Sequence, residues 1–167
     1  MAHSYVVLRV EDPDIGYRAR LDYKRDYPLR SWMTGVRFEK QPPEPIVINL
    51  KGTEEENWLL GDLWLTPITI MSRRLYDVLL AAGVENLDSY SVELRNPVNG
   101  EVYQDFIAFN LIGKVSKAAF EKEEPREKIF RLSESVNVIL IHSSIKTAIE
   151  SAGIDTLSFQ ELEDFYY

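Results

Sequence analysis

The stretch Ile70-Met71-Ser72-Arg73-Arg74-Leu75-Tyr76-Asp77-Val78-Leu79-Leu80-Ala81-Ala82-Gly83-Val84 carries the plainest structural signal in the chain. Ser72 is a natural N-cap, because its hydroxyl accepts from a backbone N–H that the first helical turn leaves unpaired. Leu75, Val78, Leu79 and Ala82 follow at i, i+3, i+4 and i+7 and form one apolar stripe. Gly83 stands where a helix end favours a left-handed residue. The spacing predicts a helix over 72–82, reached from an apolar run and left toward an extended segment.

Shifting the chain by seventy residues lays a second such stretch on the first. Leu75 falls on Ile145, Val78 on Ala148, Leu79 on Ile149, Ala82 on Ala152, Gly83 on Gly153, Val84 on Ile154 and Leu87 on Leu157. His142 takes the place of the Ser72 cap. A pseudo-repeat of this kind suggests two similar helices against one mixed sheet.

Around these helices the pattern turns to strands. Tyr5 to Val10 is apolar and β-branched, and Ile46 to Leu50 is a second such run. Ser89 to Arg95 alternates Tyr90, Val92 and Leu94 against polar neighbours. A turn at Asn96 to Gly100 joins it to Val102–Leu111, which predicts a hairpin. Ile129 to Leu132, Val136 to Ile141 and Thr156 to Phe159 read as further strands, with a short one at Gly35 to Phe38. Asn57 to Leu65 reads as a short helical turn, and Lys114 to Lys128 as charged and irregular. The expected architecture is α+β: a mixed or mostly antiparallel sheet with two principal helices packed on it, in a single domain spanning 1–167.

The chain has 167 residues, 45% apolar and 28% charged, enough to bury a core without staples. It contains no Cys, which excludes disulfides, thiolate metal sites and thiol nucleophiles. Lys plus Arg number 19 and Asp plus Glu 27, a net charge of -8. That balance opposes nucleic-acid binding, which needs a cationic face. Tyr17 to Tyr27 interleaves aromatics with bases, but Asp22 and Asp26 interrupt it. No apolar run is long enough to cross a membrane, and no secretory leader is expected at Met1-Ala2-His3-Ser4, so the expected location is the cytoplasm.

Chemistry-bearing motifs are scarce. The two histidines, His3 and His142, have no chelating partner at helical spacing, and no nucleotide-binding glycine loop or nucleophile elbow occurs. No catalytic residue, metal or cofactor is therefore assigned. Of the Trp residues Trp32, Trp58 and Trp64, at least two belong in the core. The acidic excess gathers late: residues 121–167 hold 10 acidic and 5 basic side chains. A surface of that sign can steer a cationic partner.

From Leu60 onward the chain resembles the bacterial immunity proteins of the eleventh immunity family of polymorphic toxin systems. The matching residues begin at Leu60-Gly61-Asp62-Leu63 and continue through Ile70 to Leu75 and Ala82-Gly83. They run on through Tyr90-Ser91-Val92, Asn99 to Tyr103, Phe130-Arg131-Leu132, Val138 to Ile145 and Ser151 to Ile154. Together they span about two thirds of the chain, with a weaker fit over 1–59. The resemblance implies an α+β protein that binds and neutralises a cognate protein toxin, with no catalytic residues to carry over. Read with the charge, it points to a basic toxin met by Glu121, Glu123, Glu124, Glu127, Glu161, Glu163 and Asp164, with Tyr166 and Tyr167 as anchors. The alternative expectation is an enzyme or small-ligand domain without a recognisable motif.

Overall fold

A computed structural model describes residues 4–10, 19–23, 32–54 and 58–164. The strands are β1 (Tyr5–Val10), β2 (Arg20–Asp22), β3 (Ile46–Lys51), β4 (Leu63–Trp64), β5 (Ile70–Ser72), β6 (Leu87–Arg95), β7 (Val102–Tyr103), β8 (Phe106–Leu111), β9 (Lys114–Val115), β10 (Ile129–Leu132), β11 (Ile139–His142) and β12 (Leu157–Glu161). The helices are α1 (Arg73–Ala81), α2 (Lys117–Lys122) and α3 (Ser143–Ser151), and a 3-10 turn spans Leu162–Asp164. The protein is α+β, and its strands form two mixed sheets rather than one. Five strands run in the order β12-β1-β11-β10-β9; a second sheet runs β2-β3-β6-β8-β5-β4, with β7 beside β6.

The two sheets contain the same unit twice. In the first unit β5, α1 and β6 form a strand–helix–strand crossover, and β8 lies between the two strands, antiparallel to both. In the second unit β11, α3 and β12 form the crossover, and β1 fills the gap in the same way. Register matches too. Ser72 faces Phe106 and Leu87 faces Leu111; His142 faces Tyr5 and Leu157 faces Val10. β4 flanks β5 as β10 flanks β11. The strand that completes the second unit thus comes from the other end of the sequence.

Backbone hydrogen bonds at the helix ends repeat as closely. The N–H of Ser72 donates to Asp62 O at 2.8 Å, and that of His142 to Lys128 O at 2.8 Å. The N–H of Arg73 donates to Asp105 O, and that of Ser143 to Ser4 O, each at 2.7 Å. Beyond the helices, Val84 N–H reaches Leu79 O and Ile154 N–H reaches Ile149 O. Gly83 and Gly153 take φ of 94° and 75°, the left-handed C′ geometry that a Cβ would strain.

One apolar cluster serves both units. Leu75 and Leu79 of α1 and Ile145 and Ile149 of α3 meet Ile107 and Phe109 of β8, Val6 and Leu8 of β1, Met71 and Ile141. Each fully buried Leu or Ile there stabilises the fold by about 1.5–3 kcal/mol. The opposite face of each sheet has its own cluster. Trp32, Ile48, Trp64, Ile70 and Phe106 cover the larger sheet. Tyr5, Val7, Phe120, Phe130 and Leu140 cover the smaller.

Several expectations change. Residues 35–38 form no strand. Within 58–65 the chain is extended, not helical, because Leu63 and Trp64 pair with Met71 and Ile70. Lys114 to Lys128 is more regular than its charge suggests: Ser116 caps α2 by accepting from Ala119 N–H, and Phe120 anchors the helix in the outer cluster. The hairpin forms, with β6 pairing both β7 and β8. Trp32 and Trp64 are buried and Trp58 is half-buried. His3 and most of the Tyr17–Tyr27 segment lie outside the described residues. No helix among the described residues is long and apolar enough to cross a membrane.

Candidate partner-binding surface

The acidic residues singled out by sequence come from two segments that cover one face. Glu121 lies on α2, Glu123 ends that helix, and Glu124 and Glu127 follow in the loop before β10. Glu161 closes β12, and Glu163 and Asp164 occupy the 3-10 turn. Phe120 and Leu162 sink into the same outer cluster of the five-stranded sheet, so both segments roof it. No hydrogen bond or ion pair joins one acidic group to the other among the described residues. Tyr166 and Tyr167 lie outside the described residues.

The loop is held by its backbone, which leaves its carboxylates at the surface. Tyr5 Oη donates to Glu127 O at 2.9 Å and Pro125 O at 3.3 Å. Burial, with the Glu124 and Glu127 carboxylates adding to it, pushes the Tyr5 phenol up to about 12, so it stays protonated as a donor. Glu124 Oε1 lies 3.5 Å from His142 Nε2. His142 acts as the N-cap of α3: its Nδ1 accepts from Ser144 N–H at 3.1 Å. It is a helix-start residue, as its alignment with Ser72 implies.

Glu123, Glu124 and Glu127 line an open groove of about 620 Å³ with Lys114, Ser116 and Arg126. Lys117, Lys122, Arg126 and Lys128 alternate with the acidic side chains here, so the loop is mixed in sign. The C-terminal group has no such neighbours in its own sequence. Glu161, Glu163 and Asp164 are exposed, and no ion pair among the described residues engages their carboxylates. Net sequence charge is therefore -3 over residues 161–164 and 0 over 117–128.

Two buried charges escaped sequence reading. Asp62 is 3% exposed and is saturated with donors. It accepts from Arg74 Nε and Nη2 at 2.7 Å each, Ser72 Oγ at 2.5 Å and Thr156 Oγ1 at 2.6 Å. Burial alone would raise its pKa, but the bonds from Arg74, Ser72 and Thr156 outweigh it and hold the carboxyl below its ordinary value. Thr156 precedes β12, so Asp62 clamps the first unit to the second. Asn86 holds the corresponding place before β6, and its Nδ2 donates across to Ile129 O at 2.9 Å and to Ile112 O at 3.0 Å. The two crossings are reciprocal.

Arg131 is 1% exposed and has no carboxylate partner among the described residues. Its Nη1 donates to Val136 O at 2.6 Å and its Nη2 reaches Trp32 O at 3.4 Å, while Nε has no partner among the described residues. Burial lowers it to about 10. It ties the chain at Trp32 to β10. Only the Leu60-Gly61-Asp62-Leu63 and Phe130-Arg131-Leu132 matches drew attention to these positions, and neither carried a role. Among the described residues no group of three His, Asp or Glu side chains could hold a metal ion.

No family model matches the chain, and a comparison with curated proteins finds no match.

Proposed function

We propose that this protein binds and neutralises a cognate protein toxin by covering its working surface. The observation that carries the reading is a division of labour among carboxylates. The buried one, Asp62, is spent on joining the two units. Of the seven acidic side chains singled out by sequence, only Glu124 has an ion-pair partner among the described residues. Exposed charge of one sign accelerates encounter with a partner of the other sign and sets its orientation. The ordered resemblance to the immunity family supplies the class of partner.

The test is co-expression with the product of the adjacent gene. Growth rescue together with a co-purifying complex is the expected result. Combined reversal of Glu161, Glu163 and Asp164 to Lys should slow association at least about tenfold at low salt, and less at high salt. A toxic neighbour that is neither bound nor neutralised rejects the reading.

A further inference from the structure

Among the described residues, the last strand of the second unit forms the end of its sheet. β6 pairs with β8 over Leu87–Ser91, the stretch equivalent to β12, and carries β3 further along, where Ile46 to Asn49 face Val92 to Arg95. β12 pairs with β1 on the corresponding first side and ends the five-stranded sheet on the other. No backbone hydrogen bond among the described residues reaches that outer edge. The edge is five residues long, Leu157-Ser158-Phe159-Gln160-Glu161, with no Pro or Lys in the strand to obstruct pairing.

We propose that the outer edge of β12 receives an extended, basic segment of a partner protein by strand addition. Strand addition draws affinity from main-chain hydrogen bonds, so it asks for an extended backbone rather than a particular sequence. Charge sets the sign of the occupant. Asp155 stands two residues before the strand, and Glu161, Glu163 and Asp164 stand at its end. Two cations lie nearby and keep their charge: Arg9 donates to Gln160 Oε1 at 3.0 Å, and Lys146, whose Nζ lies 5.7 Å from the Phe159 ring centre, pairs with Glu150 at 3.8 Å. A second copy of this chain would bring acidic residues against acidic residues, which opposes edge-to-edge self-pairing. A lysine- or arginine-rich strand meets complementary charge at both ends.

The inference takes the class of its partner from the proposed toxin-binding function, but the edge can be tested without a toxin. The full chain, labelled with ¹⁵N, is titrated with an acetylated heptapeptide alternating lysine and valine, and separately with its glutamate counterpart. The expected result is binding of the lysine peptide alone, with amide shifts centred on 157–161 and slowed hydrogen exchange there. Affinity should fall about tenfold when salt screens the charges. The variant E161K/E163K/D164K should lose the lysine peptide and gain the glutamate one. The variant D77K/E85K, at exposed positions of the first unit, should bind as the parent does.

Shifts centred on 121–127, or no protection of β12 amides, overturn strand addition. The two readings fail separately. A toxin complex in which β12 amides still exchange freely rejects the edge and leaves neutralisation standing. A peptide that docks on β12 in a protein that neutralises nothing does the reverse.

Discussion

The first unit and the second unit share a frame and differ in how it is finished. Both place a capped helix over a crossover whose gap is filled by one antiparallel strand. In the first, that strand is β8, which follows β6 after a hairpin. In the second it is β1, so closing the unit brings the two ends of the described chain together. The first unit also gains β2, β3 and β7 and buries its outer face under the Trp32 and Trp64 cluster. The second ends, among the described residues, at the outer edge of β12 and carries a roof of charged segments. Equivalent interior positions stay apolar in both units, while charge and exposure diverge at the margins. Stability resides in what the units share, and recognition in what they do not.

The most severe way to break the comparison is to hollow both helices at matched positions. Leu75→Ala and Ile145→Ala each remove a fully buried branched side chain from the common cluster. Each should cost about 2–5 kcal/mol in urea unfolding. Because α1 and α3 touch, the double variant should depart from the sum of the two. If one substitution costs several kcal/mol and its twin almost nothing, the units are alike in outline only.

A middle-sized effect sharpens the role of the clamp. Asp62→Asn leaves Arg74, Ser72 and Thr156 facing an amide that can accept at one atom only. The expected cost at neutral pH is about 1–3 kcal/mol. It should lie toward the lower end, because the Arg74 side chain is 57% exposed and water can reclaim it. The pH dependence follows from the lowered carboxyl. Folding holds Asp62 below the value of 3.8, so its contribution is complete above that value and is lost as pH falls through the lower, folded one. Urea midpoints measured from pH 7 down to pH 2.5 should show the parent losing this increment in acid. The variant's profile should be flatter over the same window.

The two long helices, most strands and the repeat between 70–84 and 140–154 were legible because they rest on local signals: a cap, a 3.6-residue stripe and a glycine stop. The likeness of β1 to β8 was not. Tyr5-Val6-Val7-Leu8-Arg9-Val10 and Phe106-Ile107-Ala108-Phe109-Asn110-Leu111 occupy the same place in the two units but lie on opposite sides of their helices in sequence. No single shift of the chain aligns them. Asp62 was hidden for a similar reason: its value depends on Thr156, ninety-four residues away, and nothing local marks the pair. The short helix α2 was obscured by charge, since only Phe120 in that segment reaches the core. Glu121, Glu123, Glu124, Glu161, Glu163 and Asp164 are exposed, and Glu127 is half-buried. Their division into a mixed loop and a purely acidic strand end is already written in the sequence, where Lys122, Arg126 and Lys128 alternate with the loop's glutamates and no cation interrupts 161–164.

The smallest effect bears on the one place where the repeat changes its chemistry without changing its geometry. His142 does for α3 what Ser72 does for α1, accepting a backbone N–H from within the first turn. A hydroxyl and a neutral imidazole can both accept, so the helix start alone gives no reason for histidine. His142 also contacts Glu124 and packs edge-on against Tyr5 at 5.2 Å between ring centres. These contacts join α3 to the acidic loop, whereas Ser72 turns its hydroxyl to the buried Asp62 carboxylate. His142→Ser should therefore leave global stability within about 0.5 kcal/mol, because Ser is itself a strong cap. His142→Ala, which removes the cap, should cost about 1 kcal/mol. Both substitutions should speed amide exchange in residues 123–128 while leaving α1 unchanged. If the loop exchanges no faster in His142→Ser than in the parent, histidine at this position is an interchangeable cap, and the loop is held by the Tyr5 hydroxyl alone.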